Sequence, residues 1–280
     1  MNPHNFTLKF LAALLLVTAS VSAGPITFFT TNGPDGLIAT GSRPATIGKS
    51  EIETADDFVL GQSMSISGAS FTGLLPAGAA LSGVNRIEIE FYRVFPLDST
   101  NPPSGNVSTR VNSPSDSEFQ AFDSSTATLS FTTSILNANF TAANSVLNGI
   151  NKSPNQLTGG EGPVSGQEVL FTITFATPFV LPAGHYFFRP EVGLTSGNFY
   201  WLSAPKPIVA PGTPFAPDLQ TWIRNTNLSP DWSRIGTDIT GQGPFNAAFS
   251  LDGTAVPEPS TLLFLSAGLC LLATAKRLRS

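Results

Sequence analysis

The chain is poor in the residues that most often carry chemistry. Of its 280 residues one is cysteine, Cys270, and two are histidine, His4 and His185. The common Cys/His zinc and haem sites and the cysteine-nucleophile classes therefore lack ligands or nucleophiles. Charge is scarce as well: 12% of residues are Asp, Glu, Lys or Arg, about half the roughly 25% of an ordinary soluble chain. The 14 Lys and Arg form no basic stripe, which argues against nucleic acid as a partner. What replaces charge is 30 Ser, 29 Thr and 17 Asn, with 25 Gly and 23 Pro to punctuate them. A hydrophobic fraction of 41% and 22 Phe argue against disorder. This is the composition of a turn-rich, folded β protein.

Period-two patterning supports that class. In Arg86-Ile87-Glu88-Ile89-Glu90-Phe91-Tyr92 the apolar residues alternate with charged or amphipathic ones, predicting a strand with one wet face. Val169, Phe171, Ile173 and Phe175 make the apolar face of a second strand, and Leu181-Pro182-Ala183-Gly184 turns the chain into a return strand over residues 185–189. Further strands are expected at residues 26–31, 66–74, 128–135, 199–203 and 247–251. The only helix-like stretch of the body is residues 139–147. Residues 96–125 and 204–243, rich in Pro, Ser and Asn, are expected as long loops. The fold class expected is all-β, a single β-sandwich or jelly-roll-like ectodomain with long loops over residues 24–255.

Both ends differ from this body. Residues 1–23 carry one positive charge, a short apolar run from Phe10 to Val17 and the small-residue sequence Val21-Ser22-Ala23. These are the parts of a secretory signal peptide, with cleavage by signal peptidase expected between Ala23 and Gly24. At the other end stand Val256-Pro257-Glu258-Pro259, then a charge-free apolar run of 14 residues from Leu262 to Ala275, then a basic tail with Lys276, Arg277 and Arg279. The run is expected as a short hydrophobic helix, and 14 residues are few for a permanent membrane span. The basic residues would hold it on the cytoplasmic side while the body is exported.

A Pro-Glu-Pro tripeptide, a short apolar helix and a terminal basic cluster in this order resemble the PEP-CTERM sorting signal of Gram-negative bacteria. The resemblance covers residues 256–280. It implies recognition and cleavage at or near the motif by an exosortase, a membrane-embedded transpeptidase-like enzyme, with Pro257, Glu258 and Pro259 as recognition residues. The prolines keep such a segment extended and free of hydrogen bonds. Three body segments, Ala55-Asp56-Asp57-Phe58-Val59-Leu60, Phe199-Tyr200-Trp201-Leu202 and Trp232-Ser233-Arg234-Ile235-Gly236-Thr237-Asp238, resemble a recurrent group of proteins bearing that signal and supply no catalytic residue.

Removing both ends leaves a body with 18 acidic and 10 basic residues and no cysteine. Its densest acidic group is Glu51, Glu53, Asp56 and Asp57. Hard oxygen ligands at that density suit a structural Ca²⁺, the one cofactor considered, although no EF-hand spacing accompanies them. The alternative is a solvated strand edge with a turn in which the aspartates bond local amides. Trp201, Trp222 and Trp232 fall within 32 residues. Trp201 is expected in the core. Trp222 and Trp232, with Asn225 and Asp231 beside them, are a candidate sugar platform, or else anchors of a long loop. A serine hydrolase would have to rely on His185 with no Gly-x-Ser-x-Gly elbow. The leading expectation is an exported, non-enzymatic surface, biofilm or extracellular-matrix protein. Exosortase, signal peptidase, the inner membrane before processing and extracellular polysaccharide are its expected partners. A carbohydrate-binding module is the alternative and a secreted hydrolase the third reading.

Overall fold

The computed structural model describes residues 24–99, 104–150, 157–205 and 220–257. Its strands, in chain order, are β1 (Ile26–Thr30), β2 (Ile38–Gly41), β3 (Ile52–Leu60), β4 (Met64–Pro76), β5 (Val84–Arg93), β6 (Gln120–Asp123), β7 (Leu129–Ala142), β8 (Asn144–Val146), β9 (Val164–Leu181), β10 (Gly184–Leu194), β11 (Tyr200–Ala204), β12 (Trp222–Asn225), β13 (Ser233–Arg234), β14 (Asn246–Ala247) and β15 (Phe249–Ala255). They make two sheets. One runs β1-β15-β4-β11-β2-β8, with β9 on the other side of β4, β7 beyond β9, and β14 on β11. The other runs β13-β12-β3-β10-β5-β6. Two layers of strand around a shared core are the expected β-sandwich.

Alternation decides which side chains meet between the layers. Ile87, Ile89 and Phe91 of β5 and Tyr186, Phe188 and Val192 of β10 belong to the central core with Phe71 of β4 and Phe171 of β9. That core is largely aromatic. Phe71 stacks on Phe171 with centroids 4.8 Å apart, and Phe188 stacks on Phe249 across the layers at 5.0 Å. Trp201 meets Phe249 edge-on at 5.7 Å and donates its indole N–H to the Ala248 carbonyl at 3.0 Å. Gly73 makes room for this packing, because a Cβ there would come within 2.0 Å of the Phe199 ring.

The six-stranded sheet is buried on its far face too. Ala55, Tyr92, Phe187, Trp222 and Trp232 form a separate cluster there, on the side of the sheet that period two assigns to Glu53, Asp57, Glu88, Glu90, Arg189, Glu191 and Arg224. The chain between β5 and β6 is fastened over it. Val94 bridges Pro114, and the Ser115 carbonyl accepts the Trp232 indole N–H at 3.2 Å.

Two expectations are corrected here. Residues 139–147 are strand, the end of β7 and all of β8, rather than helix. β7 changes register between Ile135 and Asn137 and again between Asn137 and Phe140. These irregularities move its apolar residues off period two, while β8 is held by parallel pairing to β2. The segment 204–243 is not simply a loop, because it supplies β12, β13 and a π-helical turn over Ile235–Ile239.

Candidate functional site

The acidic group of β3 is divided by the strand itself. Glu53 and Asp57 point to the far face and Asp56 to the opposite one, so the carboxylates do not converge. Asp56 Oδ2 accepts the Ala247 N–H at 2.7 Å and Oδ1 the Thr221 hydroxyl at 3.1 Å. Asp57 Oδ2 lies 2.8 Å from His185 Nε2. Glu51 sits one residue before β3 and is half-buried; burial, with Glu53 nearby, pushes its carboxyl above the usual range.

Glu53 is the centre of a buried ion network. It pairs with Arg224 through Nε, and its Oε1 accepts from Arg224 Nη2 at 2.9 Å and from the Tyr92 hydroxyl at 3.2 Å. Arg189 Nη2 lies 3.2 Å from the same oxygen. Arg189 also pairs with Glu90 and, at 2.6 Å, with Glu191. Burial raises the Glu53 carboxyl, and the Arg189 and Arg224 guanidiniums more than offset this, holding it below its ordinary value. Glu191 differs. Burial pushes it well above the usual range, and Arg189 compensates only in part. Among the described residues no group of three or more His, Cys, Asp or Glu is placed to hold a metal ion. The expected calcium ligands Glu53, Asp56 and Asp57 are engaged by cations, backbone and His185 instead.

Trp222 and Trp232 do not form the exposed pair expected of them. They are 1% and 0% exposed, and a ring inside the fold has no face to offer a sugar. Trp222 is buried because β12 pairs with β3, placing it opposite Ala55. Trp232 lies edge-on to Tyr92 at 5.6 Å, with the Arg224 guanidinium over its ring at 4.3 Å. Asp231 is buried and paired at 2.7 Å with Arg110, which is also paired with Asp116. Asn225 bonds the Asn227 and Leu228 amides through its side chain at 3.1 and 3.0 Å, an internal turn. Asp231 and Trp232 clasp the stretch from Ser104 to Ser115 onto the sheet.

The sorting residues occupy a different place. Val256 and Pro257 follow β15 directly, and the Val256 N–H still bonds the Ser63 carbonyl at 2.9 Å. β15 pairs antiparallel with β1, Ile26 standing opposite Gly253. Antiparallel neighbours begin and end at the same end of a sheet, so Gly24, where the signal peptide is expected to be cut, and Pro257, where the motif starts, emerge from one pole. The β3–β4 turn and the β9–β10 turn complete that pole, since Met64 pairs with both Ala255 and Leu181 and Leu60 with Gly184. Gly253 lets β15 lie close there, because a Cβ would come within 2.3 Å of the Ser65 carbonyl oxygen. Ala23, Glu258, Pro259, Lys276, Arg277 and Arg279 lie outside the described residues, as do the two terminal apolar segments. No helix of the described residues is long and apolar enough to cross a membrane.

Residues 255–280 match the PEP-CTERM protein-sorting motif. No curated protein matches the chain, and no solved structure does. The chain thus carries a PEP-CTERM sorting domain behind a β-sandwich, which implies an exported protein sorted by an exosortase. Reasoning from the sequence missed the network of Arg189, Glu191 and Arg224. The alternation of Arg189 with Phe187 and Glu191 in β10 is the signal that could have placed these charges on one face.

Proposed function

We propose that the protein is a non-enzymatic constituent of the cell surface or extracellular matrix. On this reading it is exported by its signal peptide, held for a time in the inner membrane by its tail, and released to the outside by the sorting cut. The observation that carries the reading is where the motif begins. Pro257 stands just past Ala255, the last residue of β15, so a cut at the motif leaves every strand in place. A cut further in would remove β15 and expose the core around Phe249 and Leu251, both buried.

The non-enzymatic part is supported by how the candidate groups are used. His185 is engaged by Asp57 and lies flat against Phe187, with centroids 6.1 Å apart. Glu53 answers two arginines, and the tryptophans hold a loop. Matrix polysaccharide is the neighbour this reading gives the protein, met by a Ser-, Thr- and Asn-rich surface of low charge density rather than by tryptophan rings. Fractionation of a Gram-negative host with and without its exosortase tests the proposal. Shortened protein is expected with the surface and matrix in the first strain, and precursor in the inner membrane in the second. Pro257→Ala with Pro259→Ala should reproduce the second pattern. Equal processing in both strains would refute it.

A further inference from the structure

The pole that emits both chain ends differs from the rest of this acidic body. The segments that form it, residues 24–26, 61–63, 181–184 and 254–257, contain no Asp, Glu, Lys or Arg. Its outward side chains are uncharged and, Gln62 apart, small or apolar: Ile26 is 63% and Val180 51% exposed, and Pro25, Pro182, Ala183 and Pro257 are exposed around them. Charge resumes further back. Arg93 stands opposite Tyr186, two residues beyond Gly184, and is ion-paired to Asp98. Asp252 accepts from the Thr27 hydroxyl at 2.5 Å. Glu118 is exposed beside Phe119, the ring that lies under Arg93.

The tether is short. Four residues, Glu258 to Thr261, separate Pro257 from the apolar run that begins at Leu262. Fully extended, five Cα-to-Cα steps reach about 17 Å. The headgroup layer on each side of a bilayer is roughly 5–8 Å thick. While the apolar run sits in the membrane, the pole therefore cannot stand far from the lipid headgroups. A carboxylate-bearing surface there would be repelled by anionic lipid; a neutral one is not.

We infer that this pole is a membrane-apposed surface, which rests against the headgroup layer of the inner membrane until the sorting cut releases the body. The inference rests on the sorting reading, because it needs the tail to be the anchor. It adds that the fold is built to lie against the bilayer, and that β1 and β15 are paired so that one face serves both chain ends.

The test uses the signal-cleaved chain, Gly24 to Ser280, in phosphatidylethanolamine/phosphatidylglycerol vesicles, with Cys270→Ser removing the native thiol. A single cysteine is placed at the pole by Ala183→Cys. In a second protein it is placed in the β4–β5 turn by Ala77→Cys, at the far end of β4, 13 residues from the pole, or about 40 Å along the strand. Each is labelled with an environment-sensitive fluorophore. The label at position 183 should be quenched by headgroup-attached nitroxide lipid and shielded several-fold from aqueous iodide relative to the label at 77. Equal iodide quenching at the two positions, in chains that float with the vesicles, overturns this inference and leaves sorting intact. Shielding at 183 without nitroxide quenching also overturns it, since protein would then be the occupant. Chains that do not float overturn the tail as anchor, and this inference with it.

Discussion

Replacing Trp232 by alanine separates a structural tryptophan from a ligand platform. The ring is fully buried, sits edge-on to Tyr92 at 5.6 Å, lies under Arg224 at 4.3 Å and bonds the Ser115 carbonyl. Removing a buried Trp costs about 3–5 kcal/mol, and loss of the desolvated guanidinium contact adds up to about 1–2 kcal/mol. A domain of this size loses roughly 2–4 °C of melting temperature per kcal/mol, so Trp232→Ala, at about 4–7 kcal/mol in all, should melt roughly 8–28 °C below the parent. Trp232→Phe keeps a ring but gives up the indole N–H, and should lose about 1–2 kcal/mol. Calorimetry of the parent and both variants in one buffer reads these differences. Limited proteolysis should at the same time cut Trp232→Ala within residues 94–119 before any other site. An exposed platform residue would change stability by under about 0.5 kcal/mol. A Trp232→Ala melting point within 2 °C of the parent would refute the assignment.

Other perturbations carry equally definite expectations. Burial raises Glu191 well above its ordinary value, so folding favours its protonated form relative to the unfolded chain. That contribution is complete below about pH 4, the carboxylate's unfolded pKa, and is lost as pH rises through the folded value. Glu191→Gln should therefore gain stability relative to the parent as pH rises from 4 to 8, and a parent that gains on the variant over that range would contradict the sign. Glu53 is shifted the opposite way, so its contribution is present above about pH 4 and disappears as the pH falls through its lowered folded value. Glu53→Gln should destabilise at neutral pH by about 3–5 kcal/mol, as expected when one partner of a buried pair is removed, and by much less in acid. Millimolar calcium should leave the melting temperature unchanged, because Glu53, Asp56 and Asp57 are already engaged within the chain; a rise reversed by EDTA would contradict this.

What could be seen in the sequence was whatever is encoded locally. The alternation at residues 86–92 and 169–175 is the alternation of β5 and β9, and the PEP motif with its apolar run and basic tail stands in uninterrupted order. What stayed hidden depends on distant partners. The polar, proline-rich surroundings of Trp222 suggested a surface, yet the strand it pairs with, β3, and its cluster partners Ala55, Tyr92 and Phe187 lie far earlier in the chain. Four acids within seven residues suggested a cation, yet strand periodicity separates Asp56 from Glu53 and Asp57, and the neutralising groups Arg189 and Arg224 lie on other strands. The shared pole was invisible for the same reason, since it exists only once β1 pairs with β15.

The intact mass of the protein recovered from the surface and medium of an exosortase-bearing host tests the central claim most directly. The account predicts a polypeptide that starts at Gly24 and stops at or close to residues 257–259, having lost the apolar run and basic tail while keeping β15. A surface form whose mass still includes every residue through Ser280 would contradict it.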